Sequence, residues 1–272
     1  MIYQKTLCKG FLIIALLTFC LQSDLIANNP GNQGNSEFRV SVIYDNYDFK
    51  SGMKSDWGFS CLIEGASNTI LFDTGKSSGI FKNNFESLEI NPKLIDFVII
   101  SHDHHDHVGG LSTFLVMNND VSVFIAPSFS DKVKNTILNH NAKIEIAKEI
   151  HEICPKVYLS GILGTSIDEQ SLAIDTEKGL VVITGCSHPG IINILNHFKS
   201  SLNKDIYMVI GGFHLMRKNT SEINAIIKDM KNIGVQKCGA THCTGGKQIQ
   251  LFKEAFDDNF LQMGVGNVVV IK

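Results

Sequence analysis

Residues 97–111 read FVIISHDHHDHVGGL. The apolar run Phe97 to Ile100 fits a strand buried on both faces. Directly after it come His102, Asp103, His104, His105, Asp106 and His107. The whole chain holds 10 histidines, so four of them crowded beyond one strand end is a concentration that core packing does not explain. Imidazole and carboxylate together are the donor set for zinc, iron or manganese at neutral pH. His102 and His104, two apart, can point the same way from an extended turn, which leaves Asp106 and His107 on the next turn for a second ion. Gly109 and Gly110 permit the tight path that follows. Asp103 and His105 are expected to face away, as supporting groups or helix-start contacts.

Three further histidines stand in the same kind of place. His188 (TGCSHPG) follows a strand expected over 180–184, His214 (GGFHL) one over 206–210, and His242 (ATHCTGG) one over 237–240. In open α/β sheets, ligands gather beyond the carboxyl ends of strands, so the four segments are expected to share one metal site. His140, His151 and His197 fall in helical or polar stretches and read as surface residues. Further strands are expected over 39–44, 59–64, 69–72, 121–125, 171–174 and 268–271. Helices are expected over 130–139, over 189–202 with Pro189 in the first turn, over 221–233 with Thr220 as cap, and near 248–256. Strands dominate the first third and alternate with helices in the last, with no internal repeat. The expectation is one α/β domain over 38–272.

The chain has 272 residues, 44% of them apolar and 19% charged, with a formal net charge of −3. That composition excludes a disordered chain and offers no basic face for nucleic acid, leaving a small molecule as the expected partner. Residues 1–27 read as an export signal: Lys5 and Lys9 precede the apolar run FLIIALLTFCL (11–21), which is short for a membrane span. A lipid-modified Cys20 and an uncleaved membrane anchor are the alternatives. The expected location is the periplasm, free or anchored to the membrane. The polar stretch NNPGNQGNS reads as a linker, placed over 28–37. Cys61, Cys154, Cys186, Cys238 and Cys243 remain beyond the leader, an odd number without framework spacing. Pairing of Cys238 with Cys243 stays open, as does the oligomeric state. Trp57, Phe59 and Phe213 are candidates to line a pocket.

These segments resemble the metallo-β-lactamase superfamily. The resemblance lies in H-x-H-x-D-H, here His102, His104, Asp106 and His107, followed by Gly-Gly-Leu, and in TILFDTG (69–75), which places Asp73 near the site. The set DEQSLAI, GCSHPGI, GGFHL and THCTGG is similar, more narrowly, to a subfamily labelled dihydropterin-aminobenzene-phosphate synthase-like. The resemblance implies a four-layer αβ/βα sandwich of two mixed β-sheets flanked by helices, with a dinuclear centre at one edge. His102, His104 and His188 would hold one ion, and Asp106, His107 and His242 the other. Most two-metal members carry a bridging aspartate where this chain offers Cys186 and His214. Cys186 is therefore an additional ligand or a supporting group, and His214 an extra ligand or a substrate-facing acid. A thiolate or an additional imidazole favours zinc, expected as two ions, with iron or manganese as alternatives.

The implied chemistry is hydrolysis of an ester, lactone, amide or phosphoester by a zinc-activated water. Asp106 would orient that water or take its proton, and His214 would protonate the leaving group or hold the developing oxyanion. A carbon–nitrogen bond-forming synthase of the pterin type and a metal-binding or sensing module without turnover are the rival readings.

Overall fold

The computed structural model describes residues 37–164 and 166–272. The export signal and nearly all of the linker lie outside the described residues. Among the described residues, thirteen strands form two sheets. The first sheet holds β1 (Phe38–Tyr44), β2 (Ser60–Glu64), β3 (Ile70–Phe72), β4 (Phe97–Ile99), β5 (Ser122–Phe124) and β6 (Lys143–Glu145). The second holds β7 (His151–Cys154), β8 (Val157–Leu159), β9 (Leu172–Thr176), β10 (Gly179–Thr184), β11 (Ile206–Gly212) and β12 (Lys237–Thr241). The last strand, β13 (Val268–Ile271), returns to pair antiparallel with β1, giving the first sheet the order β13-β1-β2-β3-β4-β5-β6. The second runs β12-β11-β10-β9-β8-β7. Both are mixed: β3 to β6 run parallel in one, and β10 to β12 in the other.

Side-chain alternation builds the layers. Val40, Val42, Cys61, Ile63, Ile70 and Phe72 from the first sheet meet Ile174, Val181, Ile183, Met208 and Ile210 from the second in one buried cluster. Residues of the opposite parity, such as Leu62, Leu71 and Val98, turn outward onto helices. Those helices are α1 (Ser78–Ser87), the single turn α2 (His105–Val108), α3 (Leu111–Met117) and α4 (Asp131–Asn139). The outer face of the second sheet, Leu180, Val182 and Val209, packs on α5 (Ile191–Leu202), α6 (Thr220–Ile233) and α7 (Gly246–Phe256). The arrangement is helices, sheet, sheet, helices. Burial on both faces explains why most strands read as unbroken apolar runs.

Some boundaries differ from the sequence reading. Asn219, not Thr220, caps α6, in a reciprocal capping box with Glu222. Pro189 lies before α5, which starts after Gly190 at φ 93°. The strands β6, β7 and β8 were not expected. They are three or four residues long, and the edge strands β6 and β7 carry charges, as short edge strands do. Helices α1 and α3 were also unforeseen: α1 contains Gly79, Asn83 and Asn84, poor formers that burial of Phe81 and Phe85 overrides. Among the described residues, the five cysteines are free thiols, so Cys238 does not pair with Cys243.

Candidate metal centre

The carboxyl ends of β3, β4, β10, β11 and β12 deliver Asp73, His102, Cys186, His214 and His242 to one edge of the two sheets. Parallel pairing of β3 with β4, and of β10 with β11 and β12, brings those ends level. The segment after β4 begins with Ser101 and His102 and turns into α2, with His104 as N-cap in extended conformation. Helical spacing then puts Asp106 and His107 on the same turn. Asp103 reaches away and accepts the backbone N–H of Ser130 at the start of α4, a helix-start contact. His105 is exposed.

Three imidazoles are each held at Nδ1, which turns Nε2 toward the other donors of the centre. Ser101 donates its hydroxyl to Asp73 Oδ2 at 2.8 Å and accepts from His102 Nδ1 at 2.9 Å. Asp73 Oδ2 accepts from His107 Nδ1 at 2.6 Å. Asn46 Oδ1 accepts from His242 Nδ1 at 3.0 Å. Each Nδ1–H is thus committed, and each Nε2 presents a lone pair to the centre, the tautomer that a hydrogen-bonded Nδ1–H fixes in metal-binding histidines. His188 Nε2 is buried without any hydrogen-bond partner. An orphaned buried imidazole nitrogen beside other lone pairs fits a cation.

The donor atoms fall into overlapping groups, each within 4.8 Å. Asp106, His107, Cys186 and His242 form one, His102, Cys186 and His188 a second, and Cys186, His214 and Cys243 a third. Cys186 belongs to all of them. Its Sγ lies 3.3 Å from His107 Nε2 and 3.4 Å from His242 Nε2, between the two ion positions that the resemblance implies. His104 stands at the margin: its Nδ1 is 3.0 Å from His102 Nε2 and its ring is 4.9 Å from that of His188, yet it is exposed and outside the second group. Asp106 Oδ2 accepts the indole N–H of Trp57 at 2.8 Å and lies 3.3 Å from His242 Nε2. His214 is exposed, with its ring 4.3 Å from His188. A cavity of about 310 Å³ lined by Leu163, Gly164, Ile167, His188 and Pro189 opens beside it.

Charge at the centre follows from burial and contact. Burial, then the neighbouring imidazoles His107 and His188, push His102 well below the usual histidine range. Burial with His214 and His104 lowers His188 to about 4. Burial alone would lower His107 too, but the Asp73 carboxylate against it raises it to about 9. Burial presses Asp106 upward, yet His242 and His107 hold it below the carboxylate range. His214 is raised by its hydrogen bond to Cys243.

Of the pocket candidates, Trp57 is 38% exposed beside His242, whereas Phe59 and Phe213 are core. His140 and His197 are half-buried rather than surface groups, each bonded to a backbone carbonyl. Sequence reasoning passed over Glu169, a carboxylate inside DEQSLAI that is 1% exposed. Burial raises it to about 7, against three backbone N–H groups that favour its charge. Asn46 and Cys243 were also missed as site residues. Their positions after β1 and beside His242 were the available signal.

The comparisons with known proteins bear on this arrangement. The family model of the metallo-β-lactamase superfamily matches residues 58–121. A 7,8-dihydropterin-6-methyl-4-(β-D-ribofuranosyl)-aminobenzene-5'-phosphate synthase from Methanocaldococcus jannaschii is 33% identical over 85% of this chain and 96% of its own. The chain belongs to the metallo-β-lactamase superfamily. The crystal structure of Tm1679, a metal-dependent hydrolase of the β-lactamase superfamily, is 32% identical with a TM-score of 0.71, covering 85% of this chain and 98% of that one. YhfI from Bacillus subtilis, at 15% identity and a TM-score of 0.64, covers 86% and 99% and shares the fold. The αβ/βα sandwich expected from the sequence is the fold observed. Membership supports a metal-dependent, hydrolase-like enzyme class.

Proposed function

We propose that this protein is a metal-dependent hydrolase, with zinc as the metal, acting on an ester, lactone, amide or phosphoester. The observation that carries this reading is the set of inward Nε2 lone pairs, with Asp106 and Cys186 among them and His188 Nε2 left without a partner. His102, His104 and His188 would hold one ion and Asp106, His107 and His242 the other, with Cys186 between. When bound, zinc acts as a Lewis acid and lowers the pKa of water to about 7.

The chain's own groups do the rest. Asp106, kept ionised and steered by the Trp57 indole, accepts a proton from the attacking water. His214, exposed at the rim with its pKa raised, delivers a proton to the leaving group. Burial of His102, His107, Cys186 and His242 keeps bulk water from competing for the donors. The leader over residues 1–27 supports export to the periplasm.

The test is zinc content by elemental analysis, with turnover of a panel of esters, lactones, amides and phosphoesters, for wild type and His188→Ala. Zinc and turnover in the wild type, both reduced in the variant, are expected. A chain that binds no metal sinks the reading. A second reading, a carbon–nitrogen bond-forming synthase, rests on the identity to the Methanocaldococcus jannaschii synthase. Condensation of a pterin with an aminobenzene ribosyl phosphate, without hydrolysis of the panel, would favour it.

A further inference from the structure

Two adjacent residues before β9 grip both sheets at the centre. Glu169 accepts the backbone N–H groups of Cys186 at 2.9 Å and Ser187 at 2.7 Å on Oε1, and of His188 at 2.6 Å on Oε2. Three successive amides converge on one carboxylate because Ser187 takes a left-handed φ of 64°. Gln170, fully buried, reaches the other way. Its Nε2 donates to the carbonyls of Ile100 at 2.8 Å and Phe124 at 3.0 Å, beyond β4 and at the end of β5. Its backbone N–H donates to Ser101 O at 2.9 Å, one residue before His102. The dipeptide therefore clamps the loop of Cys186 and His188 from the second sheet to the loop of His102 from the first. Asp106, His107 and His242 hang instead on Trp57, Asp73 and Asn46.

The geometry points to Glu169 and Gln170 as positioning residues that set the metal affinity of the His102–Cys186–His188 group more strongly than that of the Asp106–His107–His242 group, which shares only Cys186 with it. This rests on the metal-centre reading above. Glu169→Gln keeps the shape but turns one oxygen into an NH2 that faces an amide N–H, so the Cys-Ser-His loop loses part of its grip. Loss of such an outer partner lowers metal affinity about 10- to 100-fold.

The experiment loads the full chain and the Glu169→Gln, His188→Ala and His242→Ala variants with zinc. Each is dialysed against graded chelator, retained zinc is measured by elemental analysis, and near-UV circular dichroism checks the fold. Glu169→Gln should release the share that His188→Ala lacks at about 10- to 100-fold less chelator than wild type, ahead of the share that His242→Ala lacks. Release at the wild-type concentration, or equal or earlier loss of the share that His242→Ala lacks, overturns the assignment. Should Glu169→Gln fail to fold, Gln170→Ala, which frees only the His102 side, gives the same readout. A wild type that takes up no zinc overturns both readings. One that holds zinc but hydrolyses nothing overturns the hydrolase alone, and the release comparison still decides the clamp.

Discussion

The two sides of the centre hold their donors by different means. From His102 to His107 the backbone is relaxed, with no residue in the left-handed region, and a single helical turn sets the spacing. Across the cleft, Ser187, His214 and His242 sit at φ 64°, 54° and 48°. Such a conformation costs a non-glycine residue about 1–3 kcal/mol and persists only where surrounding contacts over-determine it. Those contacts come from far along the chain: Glu169 and Gly212 for Ser187, Cys243 for His214, Asn46 for His242. One side is built by its own segment and one buried carboxylate, while the other is held by several separate partners. The first should fail at a single point and the second by degrees.

Asp73 is that single point. Its carboxylate serves Ser101 N at 2.7 Å, Ser101 Oγ and His107 Nδ1, all fully buried. Asp73→Ala strips partners from each at once and should cost about 3–5 kcal/mol, read as a lowered urea midpoint of the metal-free chain. A loss under about 1 kcal/mol would mean the cluster side is not hinged there. The same pair gives the metal-free chain a pH signature. The His107 pKa is raised from 6.5 to about 9 by Asp73, so the pairing contributes fully below about pH 6.5 and its contribution is lost as pH rises through 9. Unfolding midpoints should fall over that window, and Asp73→Asn should flatten the slope.

The seam between the sides offers a smaller break. A Cβ on Gly185 would lie 2.2 Å from Ser101 Oγ and 3.0 Å from Asp73 Oδ2. Gly185→Ala therefore wedges the Cys186 loop off the Asp73 network, at about 1–3 kcal/mol. Zinc retention should drop with it. Unchanged zinc retention would show that the sides need not meet closely.

The same contrast explains what the sequence disclosed. The cluster side was legible because its donors are contiguous and follow an apolar strand, and Asp73 came with the TILFDTG turn. His188, His214 and His242 were legible as residues after strands, since parallel strands deliver their ends to one edge. Glu169 and Asn46 were not, because their roles arise from contacts across 17–19 and 196 positions that no local pattern encodes. The strand runs buried on both faces disclosed an α/β domain, and the sandwich came only with the family resemblance. Its strands β6 to β8, three or four residues long, are too short for alternation to register.

His214 gives the mildest stability change and the clearest separation of strain from function. Its backbone is left-handed, its side chain is exposed, and its N–H donates to Cys243 Sγ at 3.3 Å. His214→Gly removes the backbone cost, about 1 kcal/mol at the low end of the range. It keeps the N–H bond and forfeits the imidazole's hydrogen bond to the buried Cys243, worth about 0.5–1.5 kcal/mol, which offsets that gain. The urea midpoint should stay close to that of the wild type. If His214 delivers the proton to the leaving group, kcat on a substrate with a poor leaving group should fall about 10²- to 10⁴-fold, and less on one whose leaving group needs no proton. Equal losses on both substrates would assign His214 to holding the centre together, and zinc content of the variant would then fall as well. With zinc unchanged and the losses unequal, strain at this position is the cost of presenting a proton donor from a loop that would otherwise favour glycine.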